Sequence, residues 1–368
     1  MAEAQGSGPV LDVEALAAPI PGDNACGPNL RVEEAHNAPF NLLRQIRGQA
    51  RTAEREAMKA ALGSDQPVNV MQDPAVQQEW SALKELAVKT LQEQSKDIEV
   101  VAWLVEALVR QDEGQFAGLR DGFNLAAELI EKYWDNLNYD TEDTDPGAKG
   151  AAFAGLTGTG GAIKAPFMMV PLTPKGDDNA DFGLGACKQL QDSSNFGQAE
   201  TLARSDRGGA RFYRPLMADI KAARAAYERF TALIDDKLGR DAPGSSETME
   251  LFAAAEQMVQ TLGGQYLAEE EAAGAGGEAV PGAAGGGGAA AIARPGSFAT
   301  REQALDMLNA VAKFFREREP HSPISYALET MVDRARMPLF DLLAELMPDE
   351  DARRRVLQNA GIRPPPRE

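Results

Sequence analysis

The chain has 368 residues, 56 of them acidic and 37 basic, for a formal net charge of −19. That balance excludes a nucleic-acid binder built on a broad basic face, since an acidic surface repels polyanions at long range. Two histidines (His36, His321) and two cysteines (Cys26, Cys187) lack the short paired spacings of a closed Cys/His zinc site, and two widely separated cysteines make no disulfide framework. No run approaches the ~20 apolar residues of a membrane span. The N-terminus, MAEAQGSGPV, lacks the basic and apolar regions of a signal peptide, so a cytoplasmic chain without membrane insertion is expected.

Gly22-Asp23-Asn24 and Gly27-Pro28-Asn29 are turn formers by backbone chemistry. Cys26, between them, reads as a small buried hydrophobe. A Cys26–His36 dyad would need a third orienting group, and none stands at a recognisable spacing. Residues 76–94 place Trp80, Leu83, Ala87 and Leu91 on one helical stripe. Ser95 and Asp97 then offer capping chemistry for a helix over 97–111, which is apolar on most faces and so central. A third helix over 116–136 aligns Leu119, Phe123, Ala126, Ile130 and Trp134. Short connections make consecutive helices antiparallel neighbours.

Residues 139–150 read as an acidic surface loop. Gly155, Gly158, Gly160 and Gly161 lack the Gly-Lys-Ser/Thr ending of a phosphate loop and read as a plain loop. Three prolines make 163–174 at best an edge strand or an extended segment packed on helices. Residues 213–238 form an amphipathic helix ended by Gly239. Ser245 or Ser246 caps a second helix running to about Leu267, completing a hairpin. The pairs Asp177-Asp178 and Asp235-Asp236 and the run Glu269–Glu271 read as solvated surface rather than acid/base or metal carboxylates.

From Ala272 to Ser297 the chain is Gly/Ala-rich, with no large apolar residue beyond Val280 and Ile292. It cannot offset its ordering entropy and is expected to be a flexible linker with ends ~30 Å apart. Beyond it, Thr300 and Gln303 fit a capping box. The helix that follows should bury Ala304, Leu305, Leu308, Val311, Ala312 and Phe315. Pro323 and Pro338 restart helices after breaks, and Asp349 or Asp351 opens a last one that ends at Gly361. Phe314, beside Phe315, points about 100° away and needs a cover. This small module carries more apolar surface than it can bury, so self-association is expected. The expected divisions are 1–150, 151–271, the linker 272–297, and an oligomerisation domain over 298–368. The fold class is all-α and modular.

Two stretches carry a family resemblance. Pro19–Arg31 (PIPGDNACGPNLR), with Gly22, Asp23, Asn24, Cys26, Gly27 and Leu30 at its centre, resembles the opening signature of the ImpA N-terminal domain. Ala25 and Pro28 depart from the common pattern. Residues 300–347 resemble the C-terminal domain of short-form TssA proteins of the bacterial type VI secretion system. Glu319-Pro320-His321-Ser322-Pro323 is the clearest mark. The resemblance implies a non-enzymatic assembly protein without cofactors. It implies a ring-shaped homo-oligomer built by the C-terminal domain. It also implies contacts with baseplate proteins, the Hcp tube, the TssB–TssC sheath and the membrane complex. The short form favours a baseplate role. Phe314, Phe315, Met331 and the Glu319–Pro323 corner are the candidate interface residues, and the Gly22–Leu30 signature is a candidate partner contact. His321 reads first as part of a helix–helix corner. The rival reading is a helical cytoplasmic adaptor with no secretion role. The −19 charge predicts basic patches on partners.

Overall fold

A computed structural model describes residues 6–32, 38–62, 69–140, 147–177, 180–274, 301–318 and 323–347, with a few isolated positions beyond. It falls into two units, 1–279 and 280–368. Among the described residues the architecture is all-α, with two isolated β-bridges, Asp97 with Asn138 and Pro171 with Gly183.

In the first unit Asp12 caps α1 (Val13–Ala17), accepting from the Ala15 amide. No element was expected over α2 (Pro39–Leu62), whose apolar positions are thinly spread among charges. Asp73 accepts from the amides of Ala75 and Val76 to start α3 (Pro74–Glu93). Trp80, Leu83, Ala87 and Leu91 are fully buried on one face, as their spacing predicts. Asp97 does the same for α4 (Ile98–Leu108), accepting from Glu99 and Val100. Every α4 residue except Glu99 is buried, so α4 is the central helix. Each fully buried Val or Leu there stabilises by roughly 1.5–3 kcal/mol.

Next comes α5 (Gln115–Tyr133). Gly118 and Gly122 let α5 approach α4 closely: a Cβ on Gly122 would lie 2.8 Å from Val105 Cγ2. The boundary expected at residue 150 falls inside α6 (Ala148–Thr157), which buries Phe153 and Leu156. Residues 148–150 and Gly155 are therefore helical where loop was expected. Ala-rich sequence outweighs one exposed Gly155, and Gly158 ends the helix.

The segment 163–174 is corrected too. It begins with α7 (Lys164–Met169), and only the residues after it are extended. Pro166 lies in the first turn, where an amide has no intrahelical partner to lose. Leu172 N then donates to Phe182 O at 2.9 Å. Two short helices follow, α8 (Leu184–Asp192) and α9 (Gly197–Ala203). The hairpin is α10 (Ala210–Leu238) with α11 (Ser246–Gly274). Phe123 of α5 meets Tyr227 and Phe230 of α10 at 4.9 and 5.5 Å between ring centroids. Phe167 of α7 packs edge-on against both Phe116 and Phe252. This aromatic chain joins residues on both sides of position 150 in one core.

The second unit contains α12 (Arg301–Arg318), α13 (Pro323–Arg336) and α14 (Leu339–Leu346). Its buried apolar residues are Leu305, Ala312 and Val332 among those described. Leu308 and Val311, expected in its core, are exposed instead. A short helical hairpin covers only a narrow seam, which leaves the rest of the stripe outside. The expected capping residue Thr300, the side chain of Ala304, most of the expected last helix and the Gly/Ala-rich segment from 275 onward lie outside the described residues.

Candidate assembly surfaces

The Pro19–Arg31 signature folds as a clasp. Asn24 makes an Asx turn: its Oδ1 accepts from Cys26 N at 3.0 Å and its Nδ2 donates to Gly27 O at 2.7 Å. Gly22 and Gly27 have φ of +132° and +67°, backbone that favours glycine. The turn docks on the α3–α4 corner. Lys96 N donates to Cys26 O at 2.8 Å, and Ser95 Oγ to Pro28 O at 2.8 Å. Asn138 Nδ2 lies within 3.2 Å of the carbonyls of Cys26, Gly27 and Pro28. Arg31 pairs with Asp97 and with Glu99, the latter at 2.8 Å, and stacks 4.3 Å from the Phe40 ring. Burial pulls the Arg31 guanidinium down, yet its bonds to Asp97 and Glu99 leave it raised overall.

Cys26, Gly27 and Leu30 are buried, while Gly22, Asp23 and Asn24 stand exposed at the tip. The signature thus divides into an inward anchor and an outward tip. Ser95 and Asp97 were legible as capping residues. Lys96 and Asn138 were not singled out, and Arg31 entered only as the last residue of the signature, because most of their partners lie tens of residues away in sequence.

Both cysteine thiols are buried and held toward their neutral form. Burial pushes the Cys26 thiol up against the opposing pull of Lys96, and pushes Cys187 up to about 12. His36 and His321 lie outside the described residues, as do Glu319, Pro320 and Ser322. Asp177, Asp235 and Asp236 are exposed and do not converge. Among the described residues no group of three His, Cys, Asp or Glu side chains gathers as a metal site. A cleft lined by Asn69, Gln72, Arg110 and Met169 has a volume of about 10 Å³, room for about one water. No helix among the described residues is long and apolar enough to cross a membrane.

The second unit presents the opposite surface. All eight large apolar side chains that stand exposed among the described residues belong to it. Phe314 is 55% exposed, Tyr326 57% and Met331 63%. Phe315 is half-buried and meets the Phe314 ring edge-on at 5.7 Å. Pro323 is exposed at the start of α13. Arg316 ties the two helices, pairing with Glu329 at 2.5 Å and lying 4.6 Å from the Tyr326 ring.

A helical body with a clasped N-terminal signature, followed by a small unit with an uncovered apolar surface, defines a modular helical protein suited to assembly. Residues 17–158 match the family model for the ImpA N-terminal, type VI secretion, domain. The chain is 28% identical to the type VI secretion system component TssA1 of Pseudomonas aeruginosa, over 92% of this chain and 96% of that protein. A solved N-terminal domain of the TssA component from Burkholderia cenocepacia, which includes the ImpA_N region, shares its fold. The TM-score is 0.50 at 21% identity, covering 70% of this chain and 97% of that one. Residues 17–158 thus match the ImpA N-terminal family, and the chain is similar to a TssA component of type VI secretion over nearly its whole length.

Proposed function

We propose that the chain is a non-enzymatic, cytoplasmic assembly component of a type VI secretion machine. It self-associates into a ring through residues 298–368. Its first unit reaches outward to baseplate, Hcp tube, TssB–TssC sheath and membrane-complex proteins. The similarity over nearly the full length of both chains supports the secretion role. The observation that carries the assembly reading is the concentration of exposed large apolar residues in the second unit. Contiguous apolar surface left in water marks an interaction site. Subunits gathered on a ring would turn weak contacts of each first unit into strong avidity.

Deleting the gene and measuring Hcp export tests the secretion role. Loss of export, restored by the intact gene, is the expected result. Unchanged export would contradict it and favour a general helical adaptor.

A further inference from the structure

In a chain of charge −19, α2 is a local exception. Arg44, Arg47, Arg51, Arg55 and Lys59 follow one another at three- or four-residue intervals. At about 100° per residue they fall within a sector of about 120° and run about 22 Å along the helix. The inner part of this stripe is neutralised. Glu106, buried on α4, accepts from Arg47 Nε at 2.7 Å and Arg51 Nε at 2.8 Å. Glu54 takes Arg110 at 2.7 Å. The outer part is not. Arg44, Arg55 and Lys59 are exposed and form no ion pair among the described residues. Arg55 reaches only Thr52 Oγ at 3.0 Å, and Arg44 lies 5.2 Å from the Phe40 ring. Some exposed cations elsewhere in this unit pair locally, as Lys132 does with Glu128 and Arg224 with Glu228. Lys188, Arg211 and Lys221 are exposed and form no ion pair among the described residues, but they are divided between α8 and α10.

We infer that the α2 stripe is a docking site for an acidic polypeptide segment of a partner protein. Like charges repel along one helix face, and an acidic occupant relieves that repulsion. Two of the three unpaired cations, Arg44 and Arg55, are arginines, whose planar fork matches carboxylates in pairs. A stripe of about 22 Å spans about seven extended residues or about four helical turns of an occupant. A long nucleic acid is disfavoured, because its charge would extend past the stripe onto an acidic surface. The inference rests on α2 alone and is independent of the secretion role.

The test is fluorescence anisotropy of a labelled twelve-residue oligoglutamate peptide titrated with the full-length protein. The expected result is saturable binding that weakens with salt. It should fall about tenfold or more in Arg44→Glu/Arg55→Glu/Lys59→Glu. A control with the same charge change elsewhere, Lys188→Glu/Arg211→Glu/Lys221→Glu, should lose less than about twofold. Should the triple reversal fail to fold, Arg44→Gln/Arg55→Gln/Lys59→Gln is read in its place. Absence of binding, or equal loss in the control, overturns the inference. So does a labelled 20-base-pair duplex that binds as tightly as the peptide, which would assign the stripe to polyanions in general.

Discussion

Gly27 rests against the carbonyl of Gln94, where a Cβ would come within 2.1 Å of that oxygen. The contact is backbone on backbone, so no side chain can yield. The φ of +67° adds strain for any other residue. Gly27→Ala should therefore lower the stability of the first unit by about 2–4 kcal/mol. Gly22→Ala is the comparison, with strained φ but open space around it, and should cost less, about 1–2 kcal/mol. Thermal unfolding of both variants checks this. Equal losses would show that the close approach to Gln94 contributes nothing.

Lys96 is fully buried, and its ammonium donates to Leu16 O and Leu91 O, both at 2.6 Å. These carbonyls lie at the C-terminal ends of α1 and α3, so one cation caps two helices. Burial pushes its pKa down to about 8 from 10.5, with Cys26 opposing. Between these values the unfolded chain holds more protons than the folded one, so this group's contribution rises with pH. Below about 8 the charged, buried amine costs up to about 3 kcal/mol relative to strongly alkaline solution. Lys96→Met removes the titration. The stability of wild type minus that of the variant should climb by about 2–3 kcal/mol from pH 7 to pH 10. Denaturant unfolding at several pH values reads this slope, and a flat difference would contradict it.

Glu106 is a buried carboxylate serving Arg47 and Arg51, with Arg110 Nη1 3.8 Å away. Removing it frees Arg47 and Arg51, which are partly solvated, and leaves Arg110 with Glu54 alone. Glu106→Ala should cost about 1–3 kcal/mol. All three tryptophans, Trp80, Trp103 and Trp134, lie in the first unit, so their fluorescence in the full chain follows this unit's unfolding. Trp80 and Trp103 also lie beneath Arg110 and Arg47, at 4.2 and 5.3 Å. A loss below about 1 kcal/mol would mean the arginines find water as readily as Glu106.

Local rules carried much of the first unit. The stripe of Trp80, Leu83, Ala87 and Leu91 and the cap at Asp97 located α3 and α4 because each signal is complete within one or two turns. The all-round apolar character of 98–108 identified the central helix for the same reason. Where packing overrides local signals, the sequence misled. Prolines at 166 and 171 suggested extended chain, though a first-turn proline suits α7. The glycines at 155–161 concealed α6, which the aromatic core holds in place. The clasp was legible as turn chemistry at Gly22–Asn29. Its anchors were not, since Arg31 and Asp97 are 66 positions apart. In the second unit, helical spacing gave the apolar stripe of α12 but not which part a single chain can cover.

Further copies of the chain are expected to cover the exposed apolar surface of the second unit. Light scattering on the full-length protein at micromolar concentration tests this directly, alongside Phe314→Ser/Met331→Ser. The wild-type mass should be several times the 39.4 kDa of one chain. The double variant should show a marked fall in mass, with tryptophan fluorescence unchanged. A monomeric wild type, or a double variant that keeps the full oligomer mass, would contradict it.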